Sequence, residues 1–191
     1  MNNFEVNKKR FMELCSTIKR EGIENLLAWL EEQDFFEAPA SSRFHGAYAG
    51  GLLQHSLNVY DRLCEQLAVT GIAAEEETVK IVSLFHDICK VNLYVTDFRN
   101  VKGDDGQWRK VPTYSFKEQF PFGGHGSKSV YLLMKFIKLT DEEAVCINCH
   151  MGAYDRAPGD YSLTNAYEAY PLGLALHTAD MYAATLDEVE K

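Results

Sequence analysis

The segment VKIVSLFHDICK, residues 79–90, sets a histidine and a carboxylate inside an apolar helical stretch. Val79, Ile81, Val82, Leu84, Phe85 and Ile88 recur at helical spacing from about Glu75 to Lys90, and Asp87 has Leu84 at i−3. A carboxylate buried among aliphatic side chains must be paired, protonated or metal-bound, because burying it bare is costly. The pattern repeats along the chain. His55 has Leu52 at i−3 and Val59 at i+4, His150 has Ile147 at i−3, and Asp180 has Leu176 at i−4 and Ala183 at i+3. These spacings put polar groups on or beside the core-facing stripes of separate helices. Whatever fold the chain adopts must compensate them together.

The rest of the sequence reads as mostly helical. Phe11, Leu14, Cys15 and Ile18 mark a first helix that Gly22 breaks, and a second covers roughly Ile23 to Glu32. Phe35 to Arg43 is a loop, and a long helix follows from about Ala47 to Ala68. Further helices are expected from about Gly126 to Lys138, after a Thr140-x-x-Glu143 capping box, and after Pro171. The exception is Asn92 to Phe116. Two runs rich in β-formers flank Lys102-Gly103-Asp104-Asp105-Gly106, which predicts a β-hairpin with Pro112 on an exposed edge. The expectation is an all-α fold with one inserted β-hairpin at about 92–116, forming a single domain over 1–191.

Two carboxylates (Asp87, Asp180) with four histidines (His55, His86, His125, His150) and few nearby cations make a metal the simplest compensation. Imidazole plus carboxylate without thiolate suits a divalent transition metal, Mn, Fe, Co, Ni or Zn, better than Ca or Mg. The charge balance bears on partners: 19 basic against 28 acidic residues give a net charge of −9, with no dense Lys/Arg run. That favours a small phosphorylated substrate over long nucleic acid. No apolar run is long enough to span a bilayer, and the start of the sequence lacks the apolar core of a signal peptide. With five scattered cysteines, the chain reads as cytoplasmic with reduced thiols, not membrane-bound, and as a possible homo-oligomer.

At this point the residues resemble a family. His86-Asp87 inside LFHDICK, with GGLLQHS upstream and LHTAD downstream, is similar to the HD-domain metal-dependent phosphohydrolases. The family order of His, then His-Asp, then a distant Asp maps onto His55, His86, Asp87 and Asp180. Its two-metal branch adds two histidines, matched by His125 in GGHGSKS and His150 in NCHMG, and Lys90 matches the lysine of the HDxxK form. The wider pattern HGAYAGGLLQHS, from His45, is especially similar to the HD domain of a bacterial 3′→5′ exoribonuclease and its single-domain relatives. The resemblance runs from about Phe44 to Ala184 and leaves the first 40 residues outside; Cys89 stands where HDxxK often has glycine.

The resemblance implies an HD-domain helical bundle around a binuclear metal site. It implies hydrolysis of a phosphomonoester or phosphodiester, of a nucleotide or short oligonucleotide, by a hydroxide held between the metals. Asp87 would bridge them, with His55, His86 and Asp180 at one and His125 and His150 at the other. Lys90 would stabilise phosphoryl charge. Second-tier candidates are His45, Lys128 and Arg156 for substrate contact and His177 as support for a ligand. Two other readings stand beside this one: a non-catalytic, metal-stabilised nucleotide-binding module, and a c-type haem protein through Cys146-Ile-Asn-Cys149-His150. The second is disfavoured because the motif falls in an apparently buried helix.

Overall fold

The computed structural model describes residues 3–118, 120–157 and 160–188. Eight α-helices and one antiparallel hairpin occur in the order α1 (Asn3–Cys15), α2 (Ile23–Glu32), α3 (Gly51–Thr70), α4 (Glu76–Phe85), β1 (Tyr94–Lys102), β2 (Trp108–Phe116), α5 (His125–Leu133), α6 (Asp141–Cys149), α7 (Ser162–Ala169) and α8 (Pro171–Tyr182). Helix α4 forms the centre. Every residue from Thr78 to Phe85 is buried, so this helix is enclosed all round and has no solvent stripe. Helix α3 packs on α4 and α8, while α6 packs on α5 and α8. Phe11, Phe35, Phe36 and Phe85 close the N-terminal side of the core, with ring centroids 5.3–5.8 Å apart in tilted and edge-to-face pairs. Among the described residues, no helix is long and apolar enough to cross a membrane.

The mostly helical architecture with one hairpin matches the expectation; the helix expected from about Ala47 starts at Gly51, the one expected to reach Lys138 ends at Leu133, and three further features differ. The first helix ends at Cys15, short of Ile18, and the chain turns until Gly22 enters α2 with φ 87°. The eight-residue helix α7 was not anticipated; Tyr167 and Ala166 offer only a partial apolar stripe, and none of its residues is fully buried. The third correction matters most. The helix expected to run on to Lys90 stops at Phe85; Asp87 has φ −104° and ψ 19°, and Ile88–Lys90 form a single 3₁₀ turn. Successive residues of an α-helix diverge by about 100° around its axis. Breaking the helix at this dipeptide lets His86 and Asp87 face one site. The tighter 3₁₀ turn then brings residues i and i+3 into line, which stacks Lys90 over Asp87.

The hairpin pairs Tyr94 with Phe116 through to Lys102 with Trp108, in unbroken register. It projects from the helical body, touching it at Thr113, whose hydroxyl donates to the Ser42 carbonyl at 3.4 Å. Gly126 marks the opposite situation. A Cβ there would sit 2.4 Å from the Asn148 carbonyl, so its hydrogen lets the start of α5 lie against the end of α6.

Candidate metal centre

Four elements carry the polar cluster. His55 projects from α3, His86 and Asp87 from the break after α4, His150 from the end of α6, and Asp180 from α8. The His55 Nε2 lies 3.1 Å from Asp180 Oδ1, 3.2 Å from His86 Nε2 and 3.5 Å from Asp87 Oδ2. His86 Nε2 lies 3.5 Å from the same Oδ2, and His150 Nε2 lies 3.5 Å from Asp87 Oδ1. Ligands bound to one cation at ~2.0–2.2 Å are themselves about 3.0–3.5 Å apart. His55, His86 and His150 are fully buried, and the Asp87 side chain is 3% exposed.

The remaining hydrogen bonds fix which nitrogen faces the cluster. His86 Nδ1 lies 2.7 Å from the Ser83 carbonyl and His150 Nδ1 lies 2.7 Å from the Ile147 carbonyl, so each must donate its proton there. His55 Nδ1 donates likewise to Glu188 Oε1 at 3.0 Å. Three Nε2 lone pairs therefore converge on two carboxylates. His55 and His86 bring their Nε2 atoms within 3.2 Å of each other, and His150 Nε2 is buried without a hydrogen-bond partner. A cation among them satisfies every one of these groups, so the residues fit a metal ion.

Electrostatics of the ion-free cluster point the same way. Burial opposes charging His55, but Asp180 and Glu188 outweigh it and raise its pKa to about 10. Burial also opposes charging His150, with Asp87 overriding it upward, whereas at His86 burial prevails and the pKa falls. Asp87 and Asp180 resist the upward push of burial and stay well below the usual carboxylate range, Asp87 mainly through Lys90 and His86, Asp180 mainly through His55. Protons occupy the place a cation would take.

Lys90 Nζ lies 2.6 Å from Asp87 Oδ2, and its side chain is 8% exposed. Burial works against the ammonium, but Asp87 outweighs it and keeps Lys90 charged. Lys90 also lines the cavity over the cluster. That cavity, of about 250 Å³, is bounded by His45, Asp87, Lys90, His125, His177 and Asp180, with Met151, Tyr154 and Met181 as apolar wall.

His125 stands apart from the expected grouping. It opens α5, half-buried, and joins Asp87 and Cys89 in one group, while His150 groups with His86 and Asp87. The two histidines expected to share a second ion thus fall in separate groups that have Asp87 in common. Cys89 Sγ lies 3.7 Å from His125 Nδ1, but burial raises its thiol to about 12 and leaves it protonated.

Among the second-tier residues, His177 Nδ1 donates to the His150 carbonyl at 2.6 Å. Gly152, with φ 57°, lies so close that a Cβ would be 2.5 Å from the His177 ring. Lys128 is turned away: it is bonded to Glu118 at 2.8 and 2.9 Å and lines a separate cavity. Arg156 donates to the Asn148 carbonyl and lies 3.2 Å from Cys149 Sγ, clamping the end of α6 and standing outside the cavity wall. Cys146 is fully buried and Cys149 is 4% exposed, so neither thiol of the CxxCH motif is open to a haem vinyl group.

Two participants were missed from the sequence. Glu188 accepts from His45 Nδ1 at 2.9 Å, from His55 Nδ1 at 3.0 Å and from Asn58 Nδ2 at 2.9 Å. It sits in the acidic run Leu186–Glu190, which reads as a solvated tail, yet its side chain is 2% exposed. Its one sequence signal is its place eight residues beyond Asp180, about two turns along the same helix. Cys89, marked in the sequence only as standing where HDxxK often has glycine, is the second, grouped with Asp87 and His125. No protein-family model, curated protein or solved structure matches the chain.

Proposed function

We propose that the chain is a metal-dependent phosphohydrolase of the HD type, cleaving a phosphomonoester or phosphodiester of a nucleotide or short oligonucleotide. The observation that carries this reading is the convergence of three oriented Nε2 lone pairs on Asp87 and Asp180 beneath a cavity that also holds a buried, charged lysine. Asp87 turns Oδ2 to His55 and His86 and Oδ1 to His150, so it is the residue two ions would share. His55, His86 and Asp180 would hold one and His150 the other, with His125, grouped instead with Asp87 and Cys89, standing beside that second place. A donor set of imidazoles and carboxylates suits Mn, Fe, Co, Ni or Zn. Bound there, such ions polarise phosphoryl oxygens and acidify water.

The protein's own groups do the rest. The Lys90 ammonium on the cavity wall can bond a phosphoryl oxygen and stabilise charge that builds in the transition state. His45, on the same wall and anchored through Nδ1 by Glu188, offers its other nitrogen to a leaving oxygen. Met151, Tyr154 and Met181 keep one side apolar, which strengthens both interactions.

The test is metal analysis of the purified protein, then assay of mono-, di-, cyclic and oligonucleotides with added Mn²⁺. Hydrolysis of at least one class is expected. Lys90→Ala should retain metal while kcat falls roughly 10²–10³-fold, the range for removing one charge-stabilising donor. Fully loaded protein that binds a nucleotide and hydrolyses nothing would replace this reading with a metal-stabilised binding module.

A further inference from the structure

The hairpin is the part of the molecule that the metal centre leaves unexplained. Its ladder puts the even-numbered residues of both strands on one face: Tyr94, Phe98, Lys102 and Asn100 from β1 opposite Phe116, Pro112, Trp108 and Lys110 from β2. That face is aromatic and exposed, with Phe98 at 55%, Trp108 at 69% and Phe116 at 63%. Contiguous aromatic surface of this kind, unburied by its own fold, marks an interaction site. Tyr94 and Phe116 pair at 5.2 Å, and the Lys110 ammonium lies 5.4 Å from the Phe98 ring.

Charge selects the occupant. The chain carries −9, yet this face holds Lys102 and Lys110 and no carboxylate. Asp97 points to the other face, and Asp104 and Asp105 sit in the turn, where Asp105 pairs with Arg109. A second copy of the chain would set lysines against lysines with no acid to answer them. A polyanion with flat, stackable groups meets both features, which is the combination single-stranded nucleic acid uses. Each nine-residue strand spans ~30 Å, enough for several nucleotides.

Position and size agree. The face is rooted at Tyr94, four residues beyond Lys90. From the other strand, Thr113 donates to the Ser42 carbonyl at 3.4 Å, three residues before His45 on the cavity wall. The cavity, at about 250 Å³, is below the ~300–1,000 Å³ of pockets that enclose a whole small ligand. It has room for a phosphate with its sugar, and at His45, Ala184 and Thr185 it adjoins a second hollow of about 630 Å³ through which a longer ligand would leave.

We propose that the even-numbered face of the β1–β2 hairpin is a stacking platform for the bases of a short single-stranded oligonucleotide whose phosphate enters the cavity beside Lys90. The proposal rests on the phosphohydrolase reading for its phosphate and names the substrate class of that site.

The experiment measures binding of a fluorescein-labelled phosphorothioate octathymidylate to the metal-loaded protein by anisotropy, at several salt concentrations. Micromolar binding is expected. Phe98→Ala with Trp108→Ala should weaken it about tenfold or more. Lys102→Glu with Lys110→Glu should weaken it and flatten the salt slope by roughly 2. All four positions are exposed, so melting temperature and mononucleotide turnover should not move. Unchanged affinity in both double variants would overturn the platform while leaving the phosphohydrolase reading intact. So would a dimer, seen by light scattering, that the aromatic variant dissolves. Hairpin-dependent binding without hydrolysis of any phosphoester would uphold the platform and remove the phosphohydrolase.

Discussion

Two polar clusters are buried in this protein, and they are built on opposite plans. Around Glu143, whose side chain is fully buried, every charge is answered from within. Arg20 binds it through two bonds of 2.9 Å, Thr78 donates at 3.0 Å, and the Thr140 amide donates at 2.8 Å. Arg20 in turn reaches Glu77 and the Lys138 carbonyl. Around Asp87, by contrast, the two carboxylates meet three imidazole nitrogens whose other sides are already committed to carbonyls and to Glu188. One cluster is complete as folded. The other is complete only when protons or metal ions enter it. The difference teaches how to separate structural from functional burial in one chain, since both obey the same desolvation cost.

The largest effect that would break this comparison is at Asp87. Asp87→Ala removes the carboxylate that meets His55, His86 and His150, so metal content and turnover should fall together, turnover by more than ~10³-fold. The melting temperature of metal-treated protein should fall as well, since ion binding is linked to folding. Retention of full metal content would show that the open cluster closes without its central carboxylate.

Arg20→Ala should do the reverse. It strands Glu143, and breaking one side of a buried pair costs about 3–5 kcal/mol. Denaturant midpoint should drop sharply while metal stoichiometry stays that of the parent. Loss of metal would mean that the two clusters are coupled through α6, which carries both Glu143 and the approach to His150.

The same contrast explains what the sequence made legible. The Thr140–Glu143 capping box could be read directly because capping is local, four residues long, and forms as expected. The histidine and aspartate positions could be read because polar residues at helical spacing among aliphatics are anomalous wherever they occur. The break at Asp87 could not be read, because Ile88 and Cys89 continue the apolar pattern and nothing local forbids the helix. It is imposed by tertiary convergence on the cluster. Glu188 was hidden by composition: its neighbours are charged, and only the continuation of α8 through Ala183–Asp187 brings it back over His45 and His55. Lys128 and Arg156 misled because a basic residue near a glycine loop looks the same whether it meets a substrate or, as here, Glu118 and the end of α6.

A smaller effect sharpens the role of Glu188 as a positioning residue. It never faces Asp87 but holds the His55 ring so that Nε2 points inward. Glu188→Gln keeps the shape and weakens the charged acceptor. Metal affinity measured by calorimetry should fall about 10–100-fold, as for other partners of ligand histidines, with the fold retained. Glu188→Ala should fall further, and equal affinity in both variants and parent would reduce Glu188 to a surface cap.

The smallest effects belong to the closed cluster and are read through pH. Burial pushes the Glu143 carboxyl upward, but Arg20, the Thr140 amide and Thr78 outweigh it and hold it below the ordinary range. A carboxyl depressed in the folded state contributes stability above its unfolded pKa, about 4.3, and that contribution is lost as pH falls through the folded value. Melting temperature should therefore decline on acidification below about pH 4–5. Thr140→Ala removes the side-chain cap on the Glu143 amide, a bond of 3.2 Å, and should cost about 1 kcal/mol at neutral pH. It leaves Arg20 in place, so the acid decline should persist with nearly the parent slope. Arg20→Ala removes the main depressing partner, and its melting curve should flatten over that acid range. If Thr140→Ala flattens the acid limb as much as Arg20→Ala does, the Thr140 hydroxyl, by holding the start of α6, and not the arginine alone keeps the Glu143 carboxylate in its ionised setting. Glu143 would then be an N-terminal cap first and an ion-pair partner second.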